Sequence, residues 1–126
     1  MNPVVYDTGV LIRADRNDRR VWAEHRIRLE AAAAPLVPTT VIAQASRSPR
    51  QASLRRLLRG CDVVPFDEID AHRAGSLLGK SATKDVVDAS VAAVAIRRHA
   101  AVVTDDEDDI VRLLSVARSK LAIVTP

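Results

Sequence analysis

Ala101-Val102-Val103-Thr104-Asp105-Asp106-Glu107-Asp108-Asp109 is the stretch on which the fold turns. An apolar run, short enough for a buried strand, stops in five consecutive acids. Two unit charges ~4 Å apart repel by ~4 kcal/mol at an effective dielectric of ~20. Acids this dense either spread into water or gather around something positive. A strand that ends in such a run, with a helix starting inside it, is the signature of an α/β crossover.

The pattern repeats in both directions. Upstream, Val4 to Tyr6 reads as a strand ending at Asp7, with Thr8-Gly9 turning the chain into a helix from Val10. Arg13 to Asn17 reads as a polar break. Asp18 caps a helix from Arg19 to Ala33, and Leu36-Val37 forms a second strand. Thr39 or Thr40 caps a short helix through Val41, Ile42 and Ala45. Pro49 suits the first turn of a further helix with Leu54, Leu57 and Leu58 inward, closed by Gly60. Val63-Val64 is a third strand. Asp67 caps a helix with Ile69, Ala74, Leu77 and Leu78 inward, and Gly79 to Thr83 reads as a loop. Asp85 opens the clearest helical periodicity, through Val87, Val91, Val94 and Ala95 to His99. Downstream, the acid run leads into a helix with Ile110, Leu113 and Leu114 inward, then a strand over Leu121 to Val124. Short apolar strands alternating with helices predict an α/β sandwich around a mainly parallel sheet.

Length and composition agree with one domain over residues 1–126. Hydrophobic residues make up 48% of the chain, enough for a core that needs no staples. That core is aliphatic, since Tyr6, Trp22 and Phe66 are the sole aromatics. Cys61 stands alone, which excludes an intrachain disulfide and fits a reducing cytoplasm. No apolar run approaches the ~20 residues that span a bilayer. The start carries no basic segment before Asp7, so no signal peptide is expected. Net charge is +3, divided as +5 over residues 1–62 and −2 over residues 63–126. Arginines outnumber lysines 16 to 3, which suits a polyanionic partner and equally fits a GC-rich coding bias.

In open α/β sheets, ligands sit beyond the carboxyl ends of strands. Asp7 and the run Asp105 to Asp109 both lie there. Asp85 and Asp88 share the first turn of a helix, where Asp85 reads best as the cap. Asp7, Asp88 and Asp106 therefore offer carboxylates from three segments to one sheet edge. Oxygen ligands of this kind suit Mg²⁺ or Mn²⁺, which act on phosphodiesters by activating water and stabilising the leaving oxygen. Acids at strand ends and helix starts also serve as caps, without any metal.

Three motifs in order resemble one family. Val4-Val5-Tyr6-Asp7-Thr8-Gly9-Val10-Leu11-Ile12 is similar to the first motif of PIN-domain nucleases. Lys84-Asp85-Val86-Val87-Asp88-Ala89 is similar to the third, and Val103 to Asp109 to the fourth. Order, spacing and length resemble the VapC-type toxins of VapBC toxin–antitoxin systems. The resemblance implies a PIN-like three-layer α/β/α sandwich and cleavage of RNA with Mg²⁺ or Mn²⁺. It implies Asp7, Asp88 and Asp106 as catalytic metal ligands, with Asp109 a further metal contact. Thr8 and Thr104 would orient carboxylates through their hydroxyls. A cognate VapB-like antitoxin and a homodimer are also implied.

One position departs from that family. Val41-Ile42-Ala43-Gln44-Ala45 stands where a glutamate usually follows alanine, so the acidic set holds one negative charge fewer. Looser metal binding, a shifted metal preference, or a catalytically weak module that binds RNA or protein are all open at this stage. Arg47, Arg50, Arg55, Arg56 and Arg59 lie with no acid between them. They fit an RNA-backbone track as well as they fit a solvated helix face. His25, His72, His99 and Cys61 form no zinc spacing and read as surface or helix-end residues. The acid run lacks the glycine turn and closing glutamate of an EF-hand. A phosphoacceptor of the receiver type would need an acceptor near Val63-Val64-Pro65, where none stands.

Overall fold

The computed structural model describes residues 1–126. In chain order the elements are β1 (Val4–Tyr6), α1 (Thr8–Asp15), α2 (Arg19–Glu30), β2 (Leu36–Pro38), α3 (Thr39–Ala45) and α4 (Ala52–Arg59). There follow β3 (Asp62–Val64), α5 (Glu68–Ser81), α6 (Val86–Arg98), β4 (Ala101–Val103), α7 (Glu107–Val116) and β5 (Ile123–Val124). The five strands form one sheet in the order β3-β2-β1-β4-β5, and every pairing is parallel.

Strands buried on both faces read as apolar runs without alternation. β1 and β2 obey this, with every residue buried. Register aligns Tyr6 with Val103, so the next residues, Asp7 and Thr104, emerge together. Chain direction across the sheet reverses after β3. Right-handed crossovers then place α1–α4 on one face and α5–α7 on the other. The packing agrees: α1 contacts α2, α3 and α4, while α5, α6 and α7 contact one another. This is a three-layer α/β/α sandwich. Eight successive residues of α6, Asp88 to Ala95, are buried, and its alanines allow close approach to β1 and β4.

Several boundaries differ from the sequence expectations. α1 continues to Asp15 because Ala14 extends the buried stripe of Val10 and Leu11; Arg13 and Asp15 lie on its outer face rather than marking a break. α2 ends at Glu30, where Ala32 turns left-handed at φ 55° and Ala33 N–H donates back to Arg28 O. Thr39 and Thr40 are not caps. Thr39 Oγ1 accepts from Phe66 N–H, and Thr40 bonds Ser90 across the layers. Pro49 sits in a turn ahead of α4, where Gln51 Oε1 accepts from the amides of Arg47 and Ser48. α5 runs through Gly79 to Ser81; packing against α6 and α7 outweighs a glycine penalty of ~1 kcal/mol. Ile69 faces outward at 61% exposure, and β5 keeps two of its four expected residues.

His25 is the clearest reversal, since it is 2% exposed. Arg28 Nη1 donates to the Tyr6 hydroxyl at 3.2 Å, and that hydroxyl shares a hydrogen bond of 2.9 Å with His25 Nδ1. Burial, and then the charge of Arg28, hold the His25 pKa below its ordinary value. Burial pushes Tyr6 up to about 12, against the opposing pull of Arg28.

Candidate active site

Asp7 is the residue after β1 and the N-cap of α1. Its Oδ1 accepts from Thr8 N–H at 2.8 Å and its Oδ2 from Thr104 Oγ1 at 2.7 Å. Thr104 Oγ1 in turn accepts from Asp106 N–H at 2.9 Å. One hydroxyl thus links the carboxyl ends of β1 and β4 and fixes the entry into α7. Across the cleft, Thr8 Oγ1 donates to Gln44 Oε1 at 2.5 Å, tying α1 to α3. Below it, Ser90 Oγ donates to Val87 O at 2.6 Å, which leaves Thr40 the donor in its 2.5 Å bond to Ser90.

Asp85 is the N-cap of α6, with its Oδ1 accepting from Asp88 N–H at 3.0 Å. The cap turns the side chain of Asp88 inward, where it is 6% exposed. Asp88 Oδ2 is the one buried side-chain polar atom in the protein without a hydrogen-bond partner. Oxygens of Asp88, Asp106 and Asp109 all lie within 4.8 Å of one another. Asp7 is outside that group, although its charge reaches both Asp88 and Asp106.

No Lys, Arg or His forms an ion pair with Asp7, Asp85, Asp88, Asp106 or Asp109. The electrostatic result follows. Burial, then Asp7, Asp85, Asp106 and Asp109, push the Asp88 pKa up to about 7. Asp106 is raised by desolvation and then by Asp109. Burial also raises Asp7, although its bonds from Thr104 and Thr8 oppose the rise. A buried carboxylate with a free oxygen, two more carboxylates within reach and no ion-paired protein cation fit a hard divalent ion, although Lys84 stands on the same wall. Each Asp7 oxygen keeps a second lone-pair site beyond the bond it accepts.

The remaining candidates scatter around this cleft. Asp105 does not join the cluster. It folds over Gly9, where a Cβ would lie 2.6 Å from Asp105 Oδ1, and pairs with Arg13 at 3.4 Å. A break placed at Arg13 hides this contact, because Gly9 and Arg13 share a face only if α1 continues past Ile12. Arg47 is tied down locally, its Nη1 donating to Ala43 O and Ser46 O. Arg56 lies over the Trp22 ring, 4.2 Å from its centroid. Arg50 and Arg55 are exposed.

An all-parallel sandwich with carboxylates gathered at the strands' carboxyl edge defines the class: an α/β fold with an acidic cleft at its switch point. The PIN domain family model matches residues 4–114, and the chain belongs to that family. A sequence search of curated proteins finds no match. Among solved structures, VapBC2 from Rickettsia felis bound to a DNA fragment from its promoter is similar, at TM-score 0.76 and 16% identity, covering 98% of both chains. FitAB bound to IR36 DNA is similar at TM-score 0.68 and 18% identity, over 98% of this chain and 94% of that one. FitAcB from Neisseria gonorrhoeae follows at TM-score 0.67 and 17% identity, covering 96% of each. At these identities the likeness speaks to the fold.

Proposed function

We propose that this chain is a metal-dependent endoribonuclease acting as the toxin of a type II toxin–antitoxin pair. The observation that carries the proposal is Asp88, whose Oδ2 is buried and unpartnered and whose carboxylate lies within 4.8 Å of those of Asp106 and Asp109, in a member of a family whose domains are generally nucleases. Leaving a buried acceptor unsatisfied costs ~1–3 kcal/mol, which a ligand would recover. Asp7, Asp88 and Asp106 would hold Mg²⁺ or Mn²⁺, with Asp109 a further contact. When bound, such an ion supplies the Lewis acidity that activates water and offsets charge on the departing oxygen of an RNA phosphodiester.

The protein's own part is orientation. Thr104 aims Asp7 and holds the start of α7, while the Asp85 cap presents Asp88. Near neutral pH Asp88 retains a proton when the cleft is alone. Asp88 would give up that proton on holding a cation, because a neighbouring positive charge lowers a carboxylate's pKa. The likeness to the VapBC2 and FitAB assemblies supports a VapB-like antitoxin as partner. A basic antitoxin side chain would suit this acidic cleft and block it. One domain over residues 1–126, a homodimer and a cytoplasmic setting belong to the same proposal.

Purified protein should cleave RNA in Mn²⁺, and Asp7→Asn should abolish that cleavage. An Asp7→Asn variant as fast as wild type would overturn the proposal.

One observation favours a second reading, a catalytically weak module that binds RNA or protein. Gln44 brings a neutral amide where a carboxylate would add charge, and its Oε1 already accepts from the Thr8 hydroxyl, which leaves it one lone-pair site for a cation. Gln44→Glu separates the two. A large gain in cleavage favours the weak module; unchanged, full activity removes it.

A further inference from the structure

We propose that Arg13, in the last turn of α1, and Arg16, its C-cap, form the phosphate clamp that positions the RNA strand beside the acidic cleft. The inference rests on the endoribonuclease reading for its substrate class and on independent geometry for its residues. Two open clefts flank α1 and share Ile12 and Arg16 as their common wall. One, of about 550 Å³, reaches Gly9, Arg13, Asp18 and Asp105, so its two arginines face two acids. The other, of about 250 Å³, reaches Asp15, Gln44 and Arg47, so arginine is in excess there. Both therefore lead away from groups that border the carboxylates.

The two arginines are in different states. Arg16 is exposed and has no carboxylate within ion-pairing distance. Arg13 is shared between Asp105 at 3.4 Å and Asp18 at 3.7 Å. By holding Asp105 against Gly9, Arg13 keeps a further carboxylate off the path of an anionic strand. Asp105 is also among the charges that raise Asp7 and Asp106. Arg16 follows Asp7 by nine residues, about 13 Å along a helix axis, a span that a few nucleotides cover. A guanidinium forks onto phosphate oxygens bidentately, so an unpaired arginine on a cleft wall beside a phosphodiesterase site serves as a backbone anchor. The α4 arginines lack this placement, because Arg56 is stacked on Trp22 and neither Arg55 nor Arg59 lines these clefts.

The test uses the full chain and a fluorescent single-stranded RNA. Binding is measured in EDTA across a salt series, and cleavage in Mn²⁺. Arg16→Ala and Arg13→Ala should each weaken binding about 3–10-fold at 50 mM salt and lower the salt slope by about 0.7. KM should rise with kcat within about twofold, Arg16→Lys should recover part of the affinity, and Arg98→Ala, at an exposed arginine ending α6, should change nothing. Arginine variants with wild-type affinity, slope and KM would overturn the clamp, as would wild-type protein that binds no RNA. Wild-type protein that cleaves RNA while the arginine variants match it sinks the clamp alone. Arginine-dependent binding without any Mn²⁺-dependent cleavage sinks the nuclease and leaves the clamp standing.

Discussion

Tyr6 and Asp7 are neighbours in sequence, yet they enter two buried polar regions built on opposite terms. Tyr6 joins a chain in which its hydroxyl accepts from Arg28 and shares a hydrogen bond with His25 Nδ1, so the hydroxyl is paired on both sides. Asp7 borders a cleft in which Asp88 Oδ2 has no partner and Lys84, on the cleft wall, forms no ion pair with the carboxylates. Buried polar groups in native proteins are nearly always satisfied. The doubly paired Tyr6 hydroxyl therefore marks architecture, and the unpaired Asp88 oxygen marks a place where something else binds. The contrast separates the two regions without reference to any relative.

The comparison breaks most visibly at Asp88. In metal-free protein its pKa is about 7 when folded, against 3.8 as the ordinary value. The folded state then binds the extra proton, so stability is full below about pH 4 and falls as pH rises through 7. Asp88→Asn should remove that loss and stabilise the EDTA-treated protein at pH 8 by roughly 2–4 kcal/mol relative to wild type, with little difference at pH 4. Urea midpoints at the two pH values measure it.

Next in size is Tyr6→Phe, which strips His25 Nδ1 of its partner and Arg28 Nη1 of its acceptor. A loss of about 1–3 kcal/mol is expected, with no change in Mn²⁺ binding. The pH sign is opposite in this region. The His25 pKa is lowered on folding, so its contribution is present above 6.5 and lost as pH falls through the folded value. Midpoints at pH 7.5 and pH 5 check both parts. The smallest effect is Arg56→Ala, which removes a cation from the Trp22 face and should cost about 0.5–1 kcal/mol in thermal unfolding.

The cleft was more legible in the sequence than the Tyr6 chain. Asp7, Asp88 and Asp106 announce themselves because strand ends and helix starts are local events, and Asp85 reads correctly as a cap for the same reason. The apolar strands and the long stripe of α6 are equally local. His25 is different: its burial depends on Tyr6, 19 residues away on another element, and no periodicity in α2 encodes that bond. Thr39 and Thr40 fail as caps because their hydroxyls bond Phe66 and Ser90, 27 and 50 residues distant. Arg13 and Asp105 meet across 92 residues. Asp109 joins Asp106 and Asp88 while Asp7 stands apart, a grouping that needs coordinates.

Calorimetric titration of the metal-free protein with Mn²⁺ bears most directly on the claim that the open cleft is a cation site. Wild-type protein should bind Mn²⁺ with release of protons near pH 7, as Asp88 gives up the one it holds, and Asp88→Asn should lose both the binding and the proton release. Wild-type protein that takes up no Mn²⁺, or an Asp88→Asn variant that binds it equally well, would contradict the account.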